Sequence, residues 1–248
     1  MTNEDASTYN LVEDGHVGGF MSGGDPATWS PSLWLWLIHK FHVQSVIDIG
    51  CGQGYAVSFF KGQGLAATGL DGSLEAISSS VAPSAVVQHD FYQSAYLPAG
   101  TVDMVWSCEF IEHIEEKYLE NVLSSLSKAG KVIALTHAFP GQPGHHHVNC
   151  QPTIYWIGLL RRAGFEFSLL NTLAARWVAM KDYSHMNHFG RSGLVFFVPI
   201  AMGGHASAVP LQQLLHAGRH PDIASRWFGL ILKGQNLALR VGRKFGFW

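Results

Sequence analysis

Residues 46–54 of this 248-residue chain read Val-Ile-Asp-Ile-Gly-Cys-Gly-Gln-Gly. An apolar, β-branched run of strand length meets three glycines at alternate positions, and a helical pattern, Gln53 to Lys61, follows. Glycine tolerates left-handed backbone and leaves no Cβ between main chain and ligand. A strand, a glycine turn and a helix in that order belong to open α/β sheets, whose ligands sit beyond the carboxyl ends of the strands. Two common uses of the joint are excluded. The dinucleotide pattern needs a small residue where Tyr55 stands, and no Gly-Lys-Ser/Thr follows to make a phosphate loop.

The rest of the chain keeps the rhythm. Strand patterns at Ser45 to Ile49, Ala66 to Leu70, Ala85 to His89, Val102 to Cys108 and Lys131 to Thr136 alternate with helix patterns. The helices are expected at Pro31 to Phe41, Ser73 to Val81, Glu115 to Lys128 and Pro152 to Ala163. Alternation of this kind builds a parallel sheet with helices on both faces. Phe165 to Met180 and Gly193 to Pro199 then read as two strands of an antiparallel edge hairpin, with Lys181 to Ser192 as an inserted loop.

Charged residues make up 14% and hydrophobic residues 47% of the chain, against about 25% charged in an ordinary soluble domain. A large core is therefore available and disorder is excluded as the main state. A net charge of −2 lacks the positive excess that coating nucleic acid requires. Three cysteines, Cys51, Cys108 and Cys150, without a C-x-x-C pair, point to a reducing compartment, and the expected location is cytoplasmic. The polar, acidic start has no basic segment leading into an apolar run. No apolar run reaches the roughly 18 residues of a spanning helix. From Leu211 onward the balance reverses to six basic residues against one acid. Arg226, Lys233 and Arg240, spaced by seven, share a helix face, which suits either a solvated stripe on a docked helix or a contact with a membrane surface or partner.

The Asp48-Ile49-Gly50-Cys51-Gly52-Gln53-Gly54 stretch resembles motif I of class I S-adenosylmethionine-dependent methyltransferases. Asp71 follows the next strand, 17 residues after Gly54, where an acid can accept the two hydroxyls of a ribose. In the family an acid at the place of Asp90 bonds the adenine amino group, with an apolar neighbour, here Phe91, against the ring. The resemblance covers roughly residues 45 to 200. It implies a Rossmann-like, doubly wound, seven-stranded sheet with an antiparallel last strand. The organisation expected is one domain, with residues 1–44 as N-terminal flap and helix, 45–205 as catalytic core and 206–248 as basic helical tail. S-adenosylmethionine, leaving as S-adenosylhomocysteine, would lie on Asp48, Gly50, Cys51, Gly52, Gly54, Asp71, Asp90, Phe91 and Cys108, with the two cysteines as packing residues. Gly18 to Trp29 would fold over the cofactor or cap the sheet edge, and Asp182 to Phe189 would line the acceptor pocket.

Two further segments leave strand ends on the same side. After Val102 to Cys108 come Glu109, Glu112 and His113, at i, i+3 and i+4, which share one face of a helical turn. After Lys131 to Thr136 come His137 and then His145-His146-His147. Two carboxylates and imidazoles suit Mg²⁺ or Mn²⁺, with Zn²⁺ as alternative. The E-x-x-E-H pattern with a later histidine resembles the metal set of small-RNA terminal 2′-O-methyltransferases, and its first part that of ubiquinone-pathway O-methyltransferases. By that resemblance Glu109, Glu112, His113 and His147 would hold the ion and His146, His145 or His113 would serve catalysis. The His-His-His-Val-Asn-Cys-Gln-Pro segment departs from the RNA enzymes' acidic and Trp-Thr pattern, and no accessory RNA-binding segment is evident.

A sugar hydroxyl is a poor nucleophile that needs acidifying and orienting, so this set of acids and histidines favours O-methylation over transfer to an amine. The expected acceptor is a hydroxyl of a sugar or other polyol, as a small molecule or glycan. A phenolic or catechol acceptor, an RNA-terminal ribose, or a cofactor-binding module without turnover are the alternatives.

Overall fold

The computed structural model describes residues 11–13, 15–17, 19–183, 187–198 and 230–236. The chain opens with a short antiparallel hairpin, β1 (Leu11–Glu13) and β2 (Gly19–Met21), followed by α1 (Pro31–Phe41). Then come β3 (Ser45–Ile49), α2 (Tyr55–Gly62), β4 (Ala66–Asp71), α3 (Leu74–Ser78) and β5 (Val86–Gln88). The second half runs β6 (Val102–Ser107), α4 (Leu119–Leu126), β7 (Ala129–Leu135), α5 (Thr153–Arg162), β8 (Glu166–Phe167), α6 (Leu169–Tyr183), α7 (His188–Ser192) and β9 (Leu194–Phe197).

Seven strands form one sheet in the order β5-β4-β3-β6-β7-β9-β8. Strand β9 pairs antiparallel with β7 and with β8, and the pairings among β3 to β7 are parallel. The order reverses between β4 and β6 on either side of β3, so a crevice opens above the carboxyl end of β3. This is a Rossmann-like, doubly wound seven-stranded sheet with its last strand antiparallel, as expected.

Alternation along the strands distributes the core. Val46, Met104, Trp106, Val132 and Ala134 face α1 and α6, whereas Ile47, Ile49, Val105, Ile133 and Leu135 face α4 and α5. At the other end of the strands Asp103 sets the register of three of them. Its Oδ2 accepts the Gln44 amide at 2.7 Å, its own amide donates to Ser45 Oγ at 2.9 Å, and its Oδ1 pairs with Lys131 Nζ at 3.0 Å.

The expected edge hairpin is half right. Strand β8 is only two residues long, and most of the stretch read as strand is the 15-residue helix α6. Apolar residues surround this helix, with Leu170 and Trp177 exposed and Ala175 and Ala179 buried, so no amphipathic stripe betrays it. The supposed loop before β9 holds the end of α6 and α7. Phe189 of α7 stacks on Trp106 of β6 at 5.2 Å and 16°. The segment 230–236 is helical and docks on α6. Leu232 is buried, Arg176 Nη1 donates to Asn236 Oδ1 at 3.3 Å, and Gln235 Nε2 donates to the Leu173 carbonyl at 3.2 Å. Lys233 is exposed there, while Arg226 and Arg240, the rest of the basic stripe, lie outside the described residues. Among the described residues no helix is long and apolar enough to cross a membrane.

Gly69 of β4 shows how closely the layers approach. A Cβ there would lie 2.7 Å from both Cys51 Sγ and Val57 Cγ2, whereas one at Gly62, in the last turn of α2, would meet nothing within 4 Å. Gly69→Val is expected to lower stability by about 1–3 kcal/mol through overpacking. Gly62→Ala should raise it by about 0.5–1 kcal/mol through helix propensity. Urea midpoints of the two variants against the parent chain check this contrast.

Candidate active site

The glycine turn leaves β3 and is fastened to β4. The Gly50 and Cys51 amides donate to the Leu70 carbonyl at 2.8 and 3.0 Å, and the Gly52 amide donates to Asp71 Oδ2 at 2.7 Å. Gly50, Gly52 and Gly54 have φ of 76°, 53° and 79°, in the left-handed region that excludes most side chains. A Cβ on Gly50 would strike Phe110 at 2.5 Å, but one on Gly52 would meet only Phe20 Cβ at 3.7 Å, so the turn's open face is at Gly52. Asp71 Oδ1 accepts the Ser73 amide at 2.9 Å. Asp48 lies beneath, 3% exposed, and burial together with the Asp71 charge pushes its carboxyl up to about 8.

A cavity of about 600 Å³ stands over this turn, within the roughly 300–1,000 Å³ of small-molecule sites. Asp48, Gly50, Cys51, Gly52, Asp71 and Cys108 line it. Gly54, expected among the cofactor residues, faces Val86 and Ser80 instead, and Asp90 and Phe91, expected beside the adenine, are not on its wall either. Asp90 accepts from the Tyr92 amide at 2.8 Å and pairs with His16 Nε2 at 2.9 Å. Burial opposes its charge, but these bonds outweigh that and keep its pKa below the ordinary value. Phe91 is buried in the core beneath Phe110. The other wall is N-terminal: Phe20, Met21, Asp25 and Trp29 all face the cavity.

Beyond β6 the chain turns sharply. Glu109 takes φ 52°, and Thr136 at the end of β7 holds it by accepting its amide at 2.7 Å and donating to its Oε1 at 2.9 Å. A single 3-10 turn, Ile111–His113, follows. Glu109, Glu112 and His113 therefore do not share a helical face as expected, because the left-handed residue at 109 breaks the repeat. Glu109 instead points to His188, whose Nδ1 lies 3.2 Å from its Oε2. His188 Nε2 reaches Asp25 Oδ2 at 2.9 Å. Burial alone would lower the imidazole's pKa, but Asp25 and Glu109 outweigh it and raise it.

The triple-histidine loop is sewn to the 3-10 turn. The Val148 and Asn149 amides donate to the Glu112 carbonyl at 3.0 and 2.9 Å, and Asn149 Nδ2 donates to the Ile114 carbonyl at 3.0 Å. This brings one donor atom each of Glu112, His113 and His147 within 4.8 Å of one another. His147 Nδ1 lies 3.2 Å from the Gln142 carbonyl. A carbonyl only accepts, so Nδ1 is the donor in this contact and Nε2 is the nitrogen left to face a ligand. Both carboxylate oxygens of Glu112 and Nδ1 of His113 are buried without a hydrogen-bond partner. Burial pushes Glu112 well above the carboxylate range, the nearby Glu109 charge adding to it. Burial, with His147 and His146 beside it, lowers His113 to about 4. A cation is the group that would relieve these neutralised donors, and two imidazoles with one carboxylate suit Zn²⁺ or Mn²⁺ better than Mg²⁺.

Of the other histidines, His145 lines the cavity and His146, at φ 49°, does not. His137 is fully buried, its Nδ1 on the Ala138 carbonyl at 3.2 Å, away from the cavity wall. The residues that sequence reasoning missed are Thr136 and the pairing of His188 with Asp25 across 163 positions. Their segments were expected near the site, but no local spacing links them.

A methyltransferase-domain family model matches residues 33–195. No curated protein matches the chain. Among solved structures it is similar to magnesium protoporphyrin IX methyltransferase (ChlM) from Synechocystis PCC 6803 with bound SAM, at 17% identity over 68% of this chain and 77% of that one, TM-score 0.45. It is similar also to the methyltransferase domain of bacterial CtHen1-C, at 13% identity over 68% and 96%, TM-score 0.48. A third likeness is to the PH0226 protein from Pyrococcus horikoshii OT3, at 22% identity over 42% of this chain and 55% of that one, TM-score 0.37, so the match spans about half of that protein. These likenesses are distant, and the assignment rests on the domain match, which takes in the glycine turn, the cavity floor and every strand from β3 to β8. The chain belongs to the methyltransferase-domain family and is a class I S-adenosylmethionine-dependent methyltransferase.

Proposed function

We propose that this enzyme methylates a hydroxyl of a sugar or other polyol, with a divalent cation held by Glu112, His113 and His147. The observation that carries the reading is the buried Glu112 carboxylate, without a hydrogen-bond partner, within 4.8 Å of donor atoms of His113 and His147, two histidines that line the cavity. Three protein donors leave coordination open, the arrangement of catalytic rather than structural metal sites. When bound, such an ion acidifies and orients a hydroxyl, and two adjacent hydroxyls suit it best.

The chain's own residues supply the rest. Asp71 and the open face at Gly52 would receive the ribose and the methionyl part of the cofactor, with Cys51 and Cys108 packing beside it. Transfer is an in-line displacement in which the acceptor oxygen bonds to the methyl carbon as the carbon–sulfur bond breaks, leaving S-adenosylhomocysteine. The hydroxyl proton must leave, and His145, on the cavity wall, is placed to take it. His146 is turned off that wall and is not given this role.

Asp71→Ala removes the acceptor of both the Gly52 and Ser73 amides as well as a ribose contact. Calorimetry should show S-adenosylhomocysteine affinity reduced by about 1.5–3 kcal/mol, the range for hydrogen bonds to a charged group.

Asp48 generates a pH dependence. Its carboxyl, at about 8 in the folded chain against 3.8 ordinarily, is protonated at neutral pH. The cationic sulfonium and ammonium of S-adenosylmethionine should lower it again and release a proton on binding. Affinity should therefore rise with pH up to about 8 and level off above it. Calorimetry in buffers of different ionisation enthalpy should detect the proton, and Asp48→Asn should abolish both effects.

Glu112→Ala or His113→Ala should abolish Zn²⁺ or Mn²⁺ binding in metal titrations. Each should lower turnover on sugar or catechol acceptors by at least ~100-fold, since losing even the groups that orient metal ligands costs 10–100-fold. S-adenosylhomocysteine affinity should stay within a few-fold. Glu109→Gln should keep the metal affinity, because Glu109 is engaged elsewhere. Full turnover in excess chelator would overturn the cation, and transfer confined to RNA ends would overturn the acceptor class.

A further inference from the structure

One side chain fastens the roof of the cavity to its wall. The N-terminal roof is held at the glycine turn by the Gly23 amide donating to Gln53 Oε1 at 2.8 Å. On α7 it is held by the His188 amide on the Ala27 carbonyl at 2.9 Å and by Asn187 Nδ2 on Ser30 Oγ at 2.8 Å. The His188 ring then reaches both ways, to Asp25 of the roof and to Glu109 of the wall after β6.

Nε2 of the ring bonds Asp25 Oδ2, and Nδ1 stands 3.2 Å from Glu109 Oε2 as an ion-pair contact, so each ring nitrogen faces a carboxylate of the chain. With both nitrogens turned to carboxylates of the chain, neither is presented to a substrate proton, which makes this histidine a poor base. The remaining oxygens are also engaged, Asp25 Oδ1 by the Ala27 amide at 2.8 Å and Glu109 Oε1 by Thr136. Glu109 holds an unfavourable left-handed backbone to complete the bridge. The three residues all line the cavity yet spend their bonds on each other, which is the chemistry of a fastening.

We propose that His188 is a positioning residue of methyl transfer: by gripping Asp25 and Glu109 at once it locks residues 19–30 down over the cavity and holds the cofactor against the acceptor. The inference rests on the methyltransferase assignment and is independent of the cation and of the acceptor's identity.

The test uses the full chain, S-adenosylhomocysteine as probe, and the variants His188→Gln, Asp25→Asn and their combination. Release of the probe, followed by stopped flow, should be about tenfold faster in each single variant, the effect of losing one charge-assisted hydrogen bond. The double variant should release no more than about threefold faster than the faster single one, as expected for two ends of one interaction. Amides of residues 19–30 should exchange hydrogen faster in all three while those of β3 do not change. A simple loss of α7 packing would instead lower the melting temperature without coupling the two positions. Wild-type release rates in both single variants, effects that multiply in the double variant, or unchanged exchange over 19–30 would each overturn the proposal. Should His188→Gln show no cooperative thermal transition, Asp25→Asn and Glu109→Gln carry the same measurements.

Discussion

The amides of Gly50, Cys51 and Gly52 do not bond to the strand they leave. They turn across to β4, two meeting the Leu70 carbonyl and the third the Asp71 carboxylate. This crossing depends on bare backbone at two levels. The turn needs the left-handed φ values of Gly50, Gly52 and Gly54, and β4 needs a Gly69 with no Cβ to push Cys51 and Val57 away. Because the turn is pulled onto β4, its outer face at Gly52 stays clear, and the cavity opens there instead of filling with the turn's own side chains.

Asp25, Asp48, Asp71 and Glu109 line that cavity and Glu112 is buried off its wall; the first four each meet the cost of burial in their own way. Asp71 accepts backbone amides. Asp48 keeps its proton at neutral pH. Asp25 and Glu109 share the ring of His188. Glu112 has none of these, only a raised pKa and two imidazoles beside it. A buried polar group without a partner costs free energy unless a ligand completes it. The contrast between Glu112 and the other four therefore supports the proposed cation site more sharply than the number of acids does.

Parts of this were legible in the residues. The β-branched run ending in alternate glycines, the acid after the next strand and the strand–helix rhythm identify the fold, because each reports a local backbone requirement. Helix α6 was not legible, since Leu170 and Trp177 on its exposed face imitate the apolar density of a buried strand. At the site, Glu112, His113 and His147 were named from motif resemblance, and Asn149 brings them together through contacts with the turn after β6. Glu109 is expected with them and lies apart, because its left-handed backbone breaks the i, i+3, i+4 relation.

What the sequence determined by itself is a set of features that depend on neighbours a few positions apart: the glycine turn, the alternation that sends Ile47 and Val46 to opposite faces, the acids at strand ends. Which carboxylate is neutralised by what was decided only by the tertiary structure. Asp25 and His188 are 163 positions apart, and Thr136 reaches Glu109 across 27. Whether an acid binds an amide, an imidazole ring or an ion depends on which donors packing delivers within about 3 Å. That distance is set by how α7 and the N-terminal segment close on the sheet, and no local spacing encodes it.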